Sequence, residues 1–202
     1  GLYSDIGEKL TTNVKKSNRM GLEVTAGVDV TKWFSLEANA AISRNAILDF
    51  DEVVETYDDS WNDLAPTTVH YDNSTLAFSP SAILNGFADF HVKGFEATWH
   101  TNFVSRQYLD NTANKNRSLP KYTQTNIHLG YDYKVGPKKG LKHILFGVDL
   151  RNIFNRRYAS NGWVYSTILT DGMDYPNENR YYQIGYIPMA GFTAMGSVTL
   201  KF

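Results

Sequence analysis

Apolar and polar residues alternate with a period of two in seven separate stretches of this chain, and helical periodicity is weak throughout. In the first, Leu22, Val24, Ala26, Val28 and Val30 share one face, and Glu23, Thr25, Gly27 and Asp29 the other. Phe34, Leu36, Ala38, Ala40 and Ile42 oppose Ser35, Glu37, Asn39 and Ser43. Leu84, Gly86, Ala88, Phe90 and Val92 oppose Asn85, Asp89 and His91, with Phe87 the one exception. Phe95, Ala97, Trp99, Thr101 and Phe103 stand against Glu96, Thr98, His100 and Asn102. Ile127, Leu129, Tyr131, Tyr133 and Val135 face away from Asn126, His128, Asp132 and Lys134. The sixth sets Ile144, Phe146, Val148 and Leu150 opposite His143, Asp149 and Arg151, and the last sets Phe192, Ala194, Gly196, Val198, Leu200 and Phe202 opposite Thr193, Met195, Ser197, Thr199 and Lys201. Successive side chains of a β-strand point to opposite faces, so each stretch predicts a strand with one greasy and one wet face. Each approaches the roughly 9 to 11 residues that a tilted strand needs to cross a bilayer.

Alternation alone also describes a soluble β-sandwich. Connection lengths separate the two. Links near 31–33, 93–94 and 136–141 are short, whereas those near 47–75, 108–119 and 154–189 are long, and the two kinds alternate. An up-and-down meander through a membrane has this asymmetry, with tight periplasmic turns at one end and long extracellular loops at the other. Aromatics collect at strand ends, Trp33, Phe34, Phe90, Phe95, Tyr131, Tyr133 and Phe202 near the short turns and Phe103, Tyr108 and Tyr122 near the long links, as in the girdles of a membrane barrel. The expected fold is therefore all-β, an antiparallel up-and-down meander of about seven strands forming the C-terminal portion of a large transmembrane β-barrel. Seven is odd, whereas bacterial single-chain barrels have even strand numbers, so residues 1–202 are expected to be a fragment whose first residues, up to about 16, belong to an extracellular loop.

Composition narrows the function. Apolar residues make up 42%, aromatics 14% and mean hydropathy is −0.38, a pairing that suits half-wet strands. With 20 basic and 21 acidic side chains there is no electrostatic footprint for nucleic acid. Cysteine is absent, which removes disulfides, thiolate metal sites and cysteine nucleophiles. No run of about 18 apolar residues occurs, so the sequence holds no spanning helix, and a closed barrel is the other spanning solution. No Gly-x-Ser-x-Gly, phosphate loop or HExxH is found, and the chain is expected not to be an enzyme and to use no cofactor.

Val148-Asp149-Leu150-Arg151-Asn152-Ile153-Phe154-Asn155-Arg156-Arg157-Tyr158 resembles the penultimate-strand motif of TonB-dependent outer-membrane receptors, particularly those of Bacteroidota, with Ile153 where Leu is usual. Phe78-Ser79-Pro80, Gln107-Tyr108-Leu109-Asp110-Asn111-Thr112 and Ser17-Asn18-Arg19-Met20-Gly21-Leu22-Glu23 resemble further segments of the same group, in the same order. The terminal Val198, Leu200 and Phe202 resemble the signal read by the barrel assembly machinery. The resemblance implies a barrel of about 22 strands in the outer membrane of a Gram-negative bacterium, contacting outer-membrane lipid and blocked by an N-terminal plug. That missing N-terminal part would carry the contact with the TonB complex. It implies uptake of a scarce extracellular solute, such as a ferric siderophore, haem, cobalamin or a glycan. A soluble carbohydrate-binding β-sandwich and a structural or adhesive barrel are the alternatives.

Rings beside polar groups suit solutes of mixed polarity, so Trp61, Tyr71, Tyr108, Asn111, Trp163, Tyr165, Tyr175, Arg180 and Tyr181 in the long links are the candidate ligand contacts; the competing reading is that the loops pack on themselves. His91, His100, His128 and His143 fall on the wet face and, with His70, show no ligand spacing, so no structural metal is expected. The acidic residues Asp49, Asp51, Glu52, Glu55, Asp58, Asp59 and Asp63 lack the glycine of a calcium loop and read as a solvated loop.

Overall fold

In the computed structural model, which describes residues 14–136, 140–170 and 180–202, the chain is all-β with twelve strands: β1 Lys16–Thr31, β2 Phe34–Tyr57, β3 Asp63–Thr75, β4 Ala82–Val92, β5 Phe95–Val104, β6 Gln107–Tyr108, β7 Ser118–Leu119, β8 Tyr122–Lys134, β9 His143–Arg151, β10 Ala159–Leu169, β11 Arg180–Pro188 and β12 Thr193–Lys201. The seven predicted stretches are β1, the first half of β2, β4, β5, β8, β9 and β12. They are neighbours in that order, each antiparallel to the next, and form one curled meander.

Register carries the sorting across the sheet. Leu22 pairs with Ile42, Leu36 with Ala88, Trp99 with Ala88 and Ile127, Leu129 with Val148, and Phe146 with Val198. Opposite them lies a polar lattice: Asn85 Nδ2 donates to Asn39 Oδ1 (2.8 Å), Asn102 Nδ2 to Asn85 Oδ1 (2.9 Å) and Thr98 Oγ1 to Asp89 Oδ1 (2.6 Å). His128 Nδ1 meets Asp149 Oδ1 at 2.9 Å, and His143 Nδ1 meets Asp132 Oδ1 at 2.7 Å. The hairpin between β4 and β5 turns on Lys93 (φ 49°) and Gly94 (φ 86°), the left-handed pair that a two-residue turn requires.

The apolar face has no layer packed on it among the described residues. Leu22 and Val198 are each 64% exposed, and Phe146 and Val148 are exposed as well. The buried apolar side chains Ala46, Ile47, Val54, Val104, Leu109, Leu119 and Leu169 all lie at the end bearing the long connections. The edge strands β1 and β12 are exposed at every position.

The long connections depart from expectation. Segments 47–75 and 154–189, expected as loops, are largely strand: β2 runs on to Tyr57 and pairs with β3, and β10 pairs with β11. Their polar, β-branched and aromatic residues alternate too weakly to be read as strands from sequence, yet they fit a half-exposed ribbon. The β10–β11 hairpin leaves the sheet between β9 and β12 and joins the tip of β2 through one parallel contact, Ile168 with Thr56 and Leu169 with Tyr57. The third long link, 108–119, is bounded by the two-residue strands β6 and β7, which pair with each other.

The Asn152–Asn155 segment ends β9 by a specific device. Both asparagines are left-handed, φ 50° and 47°, a conformation that Asn tolerates better than most residues. Asn152 is buried; its Nδ2 donates to the carbonyls of Arg156 (2.9 Å) and Ala190 (3.1 Å), and its Oδ1 accepts from the Arg156 amide (3.0 Å). Asn155 Oδ1 accepts from the Phe192 amide at 3.0 Å. Replacing Asn152 by Ala removes all three side-chain bonds and strands two carbonyls and an amide, so Asn152→Ala should lower folding stability by about 2–4 kcal/mol, measured as a shift of the urea midpoint in detergent.

Candidate functional site

The outer cluster, so named for its place at the end of the sheet that bears the long connections, is built on the far half of β2. Asp49 is left-handed within the strand, φ 56°. Ala46 and Ile47 are buried before it, and Val54 and Thr56 beyond it. Glu52 shares the face of Val54 and Thr56. There it receives a two-pronged bond from Arg180, Nη1 to Oε1 at 2.9 Å and Nη2 to Oε2 at 2.8 Å. Tyr71 Oη donates to Oε2 at 3.0 Å, and Arg117 Nη1 lies 3.4 Å from Oε1. The same Arg117 nitrogen reaches Asp110 Oδ2 (3.0 Å) and Ser166 Oγ (3.3 Å), while its Nε and Nη2 meet no hydrogen-bond partner among the described residues. Arg117 and Arg180 are 1% and 3% exposed. Two carboxylates and two guanidiniums thus neutralise one another where β2–β3, the β5–β8 connection and β10–β11 converge.

Beside it, Tyr165 Oη donates to Glu55 Oε2 at 3.2 Å and Thr167 Oγ1 to the Glu55 carbonyl at 2.6 Å. Burial first, then Tyr57 and Glu55, pushes the Tyr165 hydroxyl up to about 12. Asn111 is also a structural tie: its Oδ1 accepts from the Ala77 amide at 2.8 Å and its carbonyl from Ser74 Oγ. The Tyr108 carbonyl accepts from the Phe78 amide at 2.9 Å, and the residue lines a cleft of about 370 Å³ with Ser43, Asn45, Asn73 and Thr75.

The candidate ligand residues therefore divide. Tyr71, Tyr165 and Arg180 spend their polar groups on Glu52 and Glu55, and Asn111 spends its own on Ala77 and Ser74, which is the self-packing arrangement. Trp61 and Trp163 present their rings outward, 55% and 50% exposed. Trp61, left-handed at the tip of the β2–β3 hairpin (φ 61°), lies 5.7 Å from Tyr57 and 6.0 Å edge-on to Tyr181. That aromatic ledge is suited to stacking on a solute face. Tyr175 lies outside the described residues. The pairing of Arg117 with Glu52 was not legible in the sequence, since nothing local links positions 65 residues apart.

The acidic residues do not form one loop. Asp58 caps the hairpin turn, accepting from the Ser60 and Asn62 amides at 2.9 and 2.8 Å, while Asp51 meets His70 Nδ1 at 2.7 Å, with Asp72 3.3 Å from Nε2. Among the described residues no group of three or more His, Cys, Asp or Glu is placed to hold a metal ion. Val198 and Leu200 lie on the apolar face of β12, in register with Phe146 and Ile144, and Phe202 follows the strand, exposed.

No protein-family model matches this chain, and no curated protein matches it.

Burial acts to raise the Glu52 carboxyl, but the bonds and charge of Arg180, with Arg117 and Tyr71, outweigh it and hold the group below its ordinary 4.5. A depressed carboxyl contributes stability above the unfolded value and loses it as pH falls through the folded one. Hydrogen exchange in β10 and β11, corrected for intrinsic rate, should accordingly speed up as pH drops below 4.5. Glu52→Ala should release the same strands at neutral pH, at a cost of about 3–5 kcal/mol, because it leaves two buried guanidiniums short of a partner. The hydrogen bond to Asp51, against slight desolvation and aided by Asp72, raises His70 above its ordinary 6.5. Its contribution is present below 6.5 and is lost as pH rises through the folded value, and Asp51→Asn should bring the midpoint back down, read by NMR of the ring protons.

Proposed function

We propose that this chain is wall and outer loops of a membrane-spanning β-barrel, part of a TonB-dependent outer-membrane receptor that takes up a scarce solute without covalent chemistry. One observation carries the membrane reading: seven neighbouring strands keep one face apolar and that face is open, while buried apolar residues gather at one end. A soluble sandwich would need a second layer against Leu22, Phe146, Val148 and Val198, and these are exposed. Lipid chains are the solvent that such a face suits. From Phe95 to Phe103 an apolar stripe runs along β5, eight steps of about 3.4 Å at a tilt of roughly 40°, a height of roughly 21 Å, near that of an outer-membrane apolar band. At its lower margin Phe95 pairs with Tyr131 and Tyr131 with Phe146, and Phe34 and Phe90 stack at 4.4 Å, as a girdle at the periplasmic interface would.

On this reading the short turns face the periplasm and the outer cluster faces the medium. The open edges of β1 and β12 pair with further wall strands, since an open edge inside a bilayer leaves backbone groups unsatisfied. Support for the receptor assignment is the motif resemblance, above all the Asn152–Asn155 segment, whose residues stitch β9 to the start of β12. Trp61, Tyr181 and Trp163 offer the rings for solute capture.

The chain has no native cysteine, so single cysteines report location cleanly. In outer-membrane preparations, cysteines replacing Val24, Ile42, Val148 or Val198 should resist a charged maleimide, and those replacing Thr25, Asn85 or Ser197 should react; equal reactivity of both sets overturns the barrel. Uptake of ferric siderophores, haem, cobalamin and glycans by cells with and without the gene, with and without a protonophore, tests transport. Loss of one solute's energised uptake in the deletion is the expected result, and unchanged uptake of all four is the opposing one.

A further inference from the structure

We infer that the cleft between the start of β8 and residues 156–159 is a binding site for the phosphate group of an anionic lipid in the outer leaflet. The inference rests on the membrane reading above. The cleft measures about 270 Å³ and is lined by Pro120, Lys121, Tyr122, Thr123, Arg156, Arg157, Tyr158 and Ala159. Three of these eight residues are cations and none is an acid. Lys121, Arg156 and Arg157 are all exposed, and among the described residues no carboxylate forms an ion pair with them. Arg117 and Arg180, by contrast, are buried and matched to carboxylates.

Its place in the fold indicates the ligand. Phe154, two residues before Arg156, is exposed and packs edge-on at 6.2 Å against Trp99 of the apolar face. The apolar stripe of β5 ends at Phe103, and Val104 pairs with Tyr122 at the start of β8. The basic group thus sits immediately beyond the upper margin of the lipid-facing band, the level of lipid headgroups. Tyr122 and Tyr158 stack at 4.4 Å in its wall, giving the cleft a firm apolar side of the kind found where membrane and water meet.

The backbone that carries the two arginines is also held before any ligand arrives. Asn152 bonds both the amide and the carbonyl of Arg156, and the Tyr158 carbonyl accepts from the Met189 amide at 3.0 Å. The backbone carrying both arginines is therefore fixed at each end, which lowers the ordering cost of binding. Arginine forks match phosphate oxygens in paired hydrogen bonds, and lysine adds a point charge. Lipid with a phosphate headgroup satisfies both the charge and the neighbouring apolar surface; free phosphate satisfies only the first.

The test reconstitutes the chain in phosphatidylcholine bilayers and reads tryptophan fluorescence, Trp99 packing against Phe154 below the cleft. Quenching by chain-brominated phosphatidylcholine reports insertion; its comparison with chain-brominated phosphatidic acid reports preference. We expect the acid to quench at lower mole fraction. In Lys121→Gln, Arg156→Gln, Arg157→Gln that preference should fall by about fivefold for each charge removed. Lys32→Gln, Lys93→Gln, Lys142→Gln, with the same change of net charge at the short turns, should keep it. Equal quenching by both lipids in the unaltered chain, or equal loss in both triple variants, overturns the site. Binding of inorganic phosphate in pure phosphatidylcholine bilayers, abolished by the first triple variant, overturns the lipid source. A chain that neither brominated lipid quenches overturns the membrane reading itself, an outcome separate from an inserted chain without preference.

Discussion

The whole sheet depends on strand register. Side chains alternate with a period of two, so a slip of one residue between any two neighbours would carry a greasy row onto the wet face. Across the five successive pairings from β2 to β12 this slip does not occur, and β1 shifts against β2 only at the turn, between Asp29 and Thr31: the rows through Leu36, Ala88, Trp99 and Ile127, and through Tyr131, Phe146 and Val198, remain on one side. The left-handed Lys93-Gly94 turn fixes one of these registers locally. The Asn39, Asn85 and Asn102 bonds fix others from the wet face, since any slip would break them. An apolar face with no cover would be a defect in a soluble protein; under the proposed membrane reading it is the surface that meets lipid.

The wall was legible because its pattern is local and repeated. Each of the seven stretches can be read without knowing its neighbours, and the alternation of short and long connections orders them. The outer half was not legible in the same way. Phe50 to Tyr57 and Ala159 to Leu169 mix charged, aromatic and β-branched residues, and their partners are chosen by contacts distant in sequence, Glu52 with Arg180 and Tyr165 with Glu55. Sequence marks Arg180 and Tyr71 as chemically capable residues, but it cannot say that they are already engaged with one another's partner. The Asn152–Asn155 segment lies between these cases: its spelling stands out, while its reason, two left-handed asparagines bonding backbone from β9 to β12, is visible only in three dimensions.

The two halves also differ in what stabilises them. The wall gains from hydrogen-bonded ladders and from contact with its surroundings on the apolar side. The outer cluster is a small core of its own, with Ile47, Leu109, Leu119 and Leu169 packed around a neutral set of ionised groups. Buried ion pairs contribute little net stability compared with apolar packing, but they are selective about partner and geometry. Glu52 therefore specifies which ribbons meet, and the Trp61–Tyr181 contact joins the same two ribbons beside it.

Asp49 separates these regimes within a single strand, and this has an evolutionary corollary. On the proposed membrane reading, the ribbon beyond Asp49 can change length by pairs of residues without altering which side chains of the sheet below would meet lipid. Loss of a single residue between Asp49 and Glu52 would instead swing the acid away from both arginines. On that same reading, diversification of these ribbons proceeds in even steps, with Asp49 near the boundary between the part a bilayer would select and the part that lies beyond it.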